Sequence, residues 1–169
     1  MNKSMKIILI IVGILIILAI PISGYNSLVS LEQNVNSASS NIDTQLQRRS
    51  DLIPNLVSTV KGYATQEKTI FTDIANARSK LAGATNVSDK ANADSELSGS
   101  LSRLLAIVEN YPDLKSNQNF RDLSIQLEGT ENRIAVARQD YNTAVNNYNT
   151  KRRKDKNNFK NLFLLIIFT

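Results

Sequence analysis

The chain has 169 residues and a formal net charge of +5, and it contains neither cysteine nor histidine. Without Cys there is no disulfide framework and no thiol nucleophile, and without His the usual general base and the commonest metal ligand are missing. Trp is absent as well, and the six glycines are scattered, so no phosphate-cradling loop can be drawn.

The charge is not a property of the body of the chain. Residues 25–150 carry twelve Lys/Arg against fourteen Asp/Glu, whereas residues 151–169 carry six bases and one acid. A nearly neutral body does not present the basic face that nucleic-acid binding requires.

Residues 1–6 form a short basic leader with Lys3 and Lys6. Ile7 to Ile22 is then apolar apart from Gly13 and the late Pro21, a little short of the ~20 residues that usually span a bilayer. Lys6 can snorkel at one end, and Ser23, Gly24 and Tyr25 extend the other. Residues 7–24 are therefore expected to be a retained transmembrane anchor. A signal peptide cleaved after Ser23 or Gly24 would instead place Pro21 or Ile22 where cleavage favours a small residue. Two lysines precede the span and no Lys or Arg follows it until Arg48. The positive-inside rule then puts the N-terminus in the cytoplasm and the body outside, a single-pass topology.

Beyond the anchor the chain is expected to be helical throughout. Leu28, Leu31, Val35, Ala38, Ile42 and Leu46 make a narrow apolar seam at helical spacing. Gln45 to Tyr63 (QLQRRSDLIPNLVSTVKGY) predicts a corner. Arg48 and Arg49 suit the negative end of one helix dipole, Ser50 or Asp51 can cap the next helix, and Pro54 falls in its first turn. One helix running on through Pro54 is the alternative. The second helix then continues through Val60, Ala64, Ile70, Ile74 and Ala77 to a stop at Gly83, with Lys80 in its last turn. Ser88 or Asp89 is expected to cap a third helix carrying Leu97, Leu101, Leu104 and Val108, ended by Pro112. Ser116 is expected to cap the fourth, whose Phe120, Leu123, Leu127, Thr130, Ile134, Ala137, Tyr141 and Tyr148 follow a heptad rhythm. No stretch alternates with the period of a strand. The expected fold is all-α: an N-terminal transmembrane helix followed by an antiparallel four-helix bundle over residues 25–150.

Arg103, Glu109, Glu131, Asn132 and Arg133 are candidates for inter-helix pairs, which act more often as register devices than as active sites. Di-metal bundles need carboxylates with a Glu-x-x-His spacing on facing helices, and with no His such a site is not expected. The pairs Tyr25-Asn26, Tyr141-Asn142 and Tyr148-Asn149 suit packing plus a hydrogen bond. Lys151 to Lys156 (KRRKDK) suits either anionic lipid headgroups or a solvated tail. Leu162 to Phe168 (LFLLIIF) is too short to span.

Four segments resemble the LemA family of bacterial membrane-anchored proteins in order and spacing. They are YNSLVSLEQNV at Tyr25–Val35, IDTQLQRRSDLIPNLVSTVKGYA at Ile42–Ala64, LSRLLAIVENYPDLKSNQNF at Leu101–Phe120 and LEGTENRIAVARQDYNTAVNNYN at Leu127–Asn149. The resemblance implies an N-terminal transmembrane helix and an antiparallel helical bundle. It brings no catalytic residue, metal ligand or cofactor. Ser39 and Ser50 stand where the family often has aromatic residues. Residues 151–169 depart from the family's Phe-Pro and Gly-Phe ending, as a frameshift or a truncated gene end would produce.

The expected function is a membrane-anchored helical scaffold or interaction protein, with its body outside the cytoplasm. Its partners would be the membrane through the anchor and either an envelope protein or a second copy of the chain, with no nucleic acid and no small-molecule substrate. A lipid-binding or membrane-remodelling protein, acting through the tail and the bundle end, is the alternative. An enzyme would need clustered carboxylates, and the acids here are spread along the helices, so no catalysis, cofactor or metal is expected.

Overall fold

The computed structural model describes the backbone of residues 3–168 and the side chains of Met5 and residues 24–158. Among the described residues there are five helices and no strand: α1 (Lys3–Lys61), α2 (Lys68–Gly83), α3 (Val87–Val108), α4 (Pro112–Ser116) and α5 (Gln118–Phe168). The chain divides into two compact units. One comprises residues 39–138, the other residues 1–38 with 139–169.

In the unit of residues 39–138 the core is a set of helical seams. Along α1, Ile42, Leu46, Arg49, Ile53, Leu56 and Val60 are all buried, at the alternating spacing of four and three that keeps one helix face inward. Leu97, Leu101, Leu104 and Val108 do the same on α3, and Phe120, Thr130, Ile134 and Ala137 on α5. Burying each large aliphatic side chain contributes about 1.5–3 kcal/mol relative to leaving it exposed.

The pairs between helices fix their directions. Lys90 meets Asp43 and Arg49 meets Asp94, so α1 and α3 run the same way. Arg78 meets Ser50, Lys80 meets Glu96 and Arg103 meets Asp73, so α2 runs opposite to both. Glu131 meets Arg49 while Asn117 meets Tyr63, so α5 also runs opposite to α1. Neighbours in sequence are thus antiparallel, and the short α4 closes one end with the fully buried Leu114.

The corner expected between Arg48 and Pro54 is not there. The chain is helical without interruption from Lys3 to Lys61, and Pro54 lies exposed inside that helix. Proline lacks the amide that would bond the carbonyl four residues earlier, which is that of Ser50. Arg78 of α2 supplies the missing donor: its Nε lies 3.1 Å from the Ser50 carbonyl oxygen and 3.1 Å from Ser50 Oγ. Ser50 therefore receives a guanidinium from another helix and caps nothing. Asp51, the other expected cap, accepts a bond from Gln47 on the helix surface.

The break between the first two helices comes later, at residues 62–67, where the amides of Tyr63 and Ala64 both bond the Val60 carbonyl. Its signals are Lys61 and Gly62 together with the lack of an aliphatic residue between Ala64 and Ile70. Two caps also shift. Asn86, not Ser88 or Asp89, caps α3 by accepting from the Asp89 amide at 2.8 Å. Asn117, not Ser116, accepts from the Phe120 amide at 3.1 Å at the start of α5. The stop at Gly83, with Lys80 in the last turn of α2, is as expected.

In the other unit, Gly24 of α1 lies close to Asp155 of α5. A Cβ at position 24 would come within 3.4 Å of Asp155 Oδ2. Asp155, the lone acid of the basic stretch, is buried and accepts from Lys151 one turn earlier at 3.0 Å, while Arg152, Arg153, Lys154 and Lys156 are exposed. Tyr141 and Tyr148 are half-buried. Helix α5 continues beyond Asn149 to Phe168. Among the described residues no helix is long and apolar enough to cross a membrane. The expected anchor falls on residues 7–24 and the apolar tail on residues 162–168. Apart from Gly24, the side chains of both lie outside the described residues.

Candidate functional site

Two seam positions in the 39–138 unit are charged. On α1, Arg49 follows Leu46 by three residues and precedes Ile53 by four, and on α3 Asp94 precedes Leu97 by three. Helical geometry turns both into the core. Asp94 is 1% exposed at its side chain and Arg49 is 5% exposed. Burial at this depth costs far more than an aliphatic residue would unless each charge is paired and hydrogen-bonded.

The pairing is close. Arg49 Nη1 lies 2.7 Å from Asp94 Oδ1 and 2.8 Å from Glu131 Oε2. Arg138 Nη2 lies 2.7 Å from Asp94 Oδ2. Each carboxylate oxygen of Asp94 thus faces a guanidinium from a different helix, and α1, α3 and α5 are joined through one acid. Arg138 and Glu131 are 42% and 49% exposed at their side chains, so the cluster runs from core to surface. Such an arrangement fixes helix register: sliding any one helix by a residue would strand a buried charge.

Beside this cluster a groove of about 410 Å³ opens between the same three helices. Leu56, Leu101, Leu105 and Leu127 form its apolar wall, and Arg49 and Ser124 contribute polar groups. Among the described residues no group of three or more acids is arranged as metal ligands would be.

A model of the LemA family matches residues 38–164. The chain belongs to the LemA family. It is similar to magnetosome proteins named MamQ. MamQ 2 of Paramagnetospirillum magneticum is 30% identical over 152 residues, and MamQ of Magnetospirillum gryphiswaldense is 27% identical over 151. Both alignments cover 74% of this chain and 56% of the relative. It is also similar to Protein LemA of Metamycoplasma hominis, 25% identical over 130 residues, which cover 75% of this chain and 58% of that protein. The chain therefore spans little more than half the length of these curated relatives.

In this LemA-family chain the polar residues expected to pair divide into two groups. Glu131 joins the buried cluster, Arg103 reaches Asp73 of α2 at 3.0 Å, and Glu109 holds Lys115 at 2.6 Å across the turn into α4. Asn132 and Arg133 face outward on α5. Arg49 is expected from the sequence to be a helix-end charge, and the structure places it at the centre of the cluster. Asp94 and Arg138 were not among the sequence candidates. The signal for Arg49 was present in the seam spacing.

Proposed function

We propose that this LemA-family chain is a membrane-anchored helical scaffold that works by holding other chains, with residues 7–24 as its single transmembrane span and its helical body outside the cytoplasm. The observation that carries this is the combination of an apolar stretch after a basic leader with a nearly neutral body, in which the buried charges are spent on joining helices. The relatives fit: the MamQ proteins are named for the magnetosome, and none of the names is that of a reaction. The partner is an envelope protein or a second copy of the chain. Attachment through the basic stretch at Lys151–Lys156 is the second possibility, favoured by the four exposed bases there.

The absence of cysteine makes the topology directly testable. Ser4→Cys lies before the proposed span, and Ser88→Cys lies at an exposed position near the start of α3. In intact cells a membrane-impermeant maleimide is expected to label Ser88→Cys and to spare Ser4→Cys until lysis. Equal labelling of both before lysis, or release of the chain from membranes by alkaline carbonate, would contradict the anchored topology.

A further inference from the structure

Helix α5 turns two large apolar side chains to solvent. Ile125 is 67% exposed and Val136 is 58% exposed, more than any other large aliphatic residue described in the 39–138 unit. Gly129 and Asn132 lie between them, at steps of four, three and four that make one stripe along the helix. Thr130, Ile134 and Ala137 are buried on the opposite face. A glycine inside a helix is destabilising relative to alanine. Yet a Cβ at Gly129 would meet no atom within 4 Å, and its φ is not positive. What the missing side chain permits is close approach of a second backbone from outside.

The flanking charges say which backbone. Glu128 and Arg133 border the stripe on opposite sides, both exposed and neither in an ion pair or hydrogen bond among the described residues. Five residues apart on one helix, they face different directions and cannot reach each other. Against a second α5 running the same way, these are positions that pair across the contact, Glu128 with the partner's Arg133 and Arg133 with the partner's Glu128. Against one running the opposite way, Glu128 would meet the partner's Glu128 and Arg133 the partner's Arg133. A surface that complements itself about a two-fold axis is what a symmetric dimer requires. One heptad earlier the row reaches Asp122, whose charge would meet its own copy, so the contact is confined to residues 125–136.

We infer that the outward stripe of α5 is a contact between two copies of this chain, packed in parallel. Ile125, Gly129, Asn132 and Val136 each meet their own copy, and two reciprocal pairs between Glu128 and Arg133 set the direction. Asn132 can both donate to and accept from its copy, which fixes the register. The inference rests on the scaffold reading and deepens it by naming the partner as a second copy. Twelve residues of one helix fall short of the ~800 Å² per partner of a stable soluble complex, so the pairing depends on the proposed anchor to concentrate the copies.

The test uses the full chain in membranes, where the absence of cysteine gives a clean background. Asn132→Cys is expected to form an interchain disulfide on mild oxidation. Ser79→Cys is not: it is exposed, but on α2, whose pairs run to α1 and α3. In the Asn132→Cys chain, Glu128→Arg or Arg133→Glu should each lower the disulfide yield about tenfold. Co-expressing these two charge variants with different tags should restore it, as a product of mixed chains. That recovery needs contact between the chains, and a folding defect in either variant would not give it. Equal yields at positions 132 and 79, no disulfide at 132, or no recovery on co-expression would overturn the proposal. If the chain still resists alkaline carbonate, such a failure removes this interface and leaves an envelope protein as the scaffold's partner. Release by carbonate would remove the anchor and this pairing together.

Discussion

Asp94→Ala is expected to destabilise the chain by about 3–5 kcal/mol, because it leaves the buried guanidinium of Arg49 facing Arg138 with their shared counter-charge gone. The two arginines are affected differently. Arg138 is 42% exposed at its side chain and can turn to solvent, whereas Arg49, 5% exposed, keeps only the bond to Glu131. Asp94→Asn keeps the volume and one acceptor oxygen and should cost less. Replacing the pair by apolar residues of similar size, Arg49→Met with Asp94→Leu, should be close to neutral, since desolvating two charges offsets most of what their attraction contributes. Urea melts of the four chains measure all of this. A loss below ~1 kcal/mol for Asp94→Ala would show that Arg49 is solvated in solution, as exposed pairs are. The double replacement has a second use: a folded chain that has lost its cellular role would move the cluster from register device to functional site.

Arg78→Ala is expected to cost about 1–3 kcal/mol, because it leaves the Ser50 carbonyl without a donor inside the bundle. The cause lies in Pro54, which has no amide to give that carbonyl. In a Pro54→Ala background the new amide at position 54 can bond it, so Arg78→Ala should then cost about 1 kcal/mol less. A double-mutant cycle by denaturant melting isolates this coupling. Equal costs in the two backgrounds would mean that Arg78 holds Ser50 only through its hydroxyl, or by packing.

That pair also shows where the sequence stops being sufficient. All-helical character was legible throughout, and so were the seams of α3 and α5, because apolar residues recur there at three and four. The run through Pro54 was not, because the donor that makes it tolerable comes from Arg78, on another helix and 28 residues beyond the Ser50 carbonyl it bonds. Local signals of two arginines, a serine and a proline agree with a helix end, and a tertiary contact overrides them. Arg49 reads locally as a helix-end charge for the same reason. Its neighbour Arg48 is exposed, and only continuing the seam from Leu46 through position 49 to Ile53 separates the two. Asp94 sits one residue from Ala93 on a seam that Ala93 also satisfies, so its burial shows only when the partners on α1 and α5 are known. The caps moved by one to three residues because Asn86, Ser88 and Asp89 are all chemically able to cap. The groove depends on which small residues face one another across helices, and spacing within a single helix does not show that.

The scaffold proposal is tested most directly by crosslinking in intact cells, with the full chain in place and the products identified by mass spectrometry. The expected result is repeated crosslinks from exposed lysines of the 39–138 unit to one envelope protein or to a second copy of the chain. Crosslinks confined to within single copies of the chain, with no repeated partner, would contradict it.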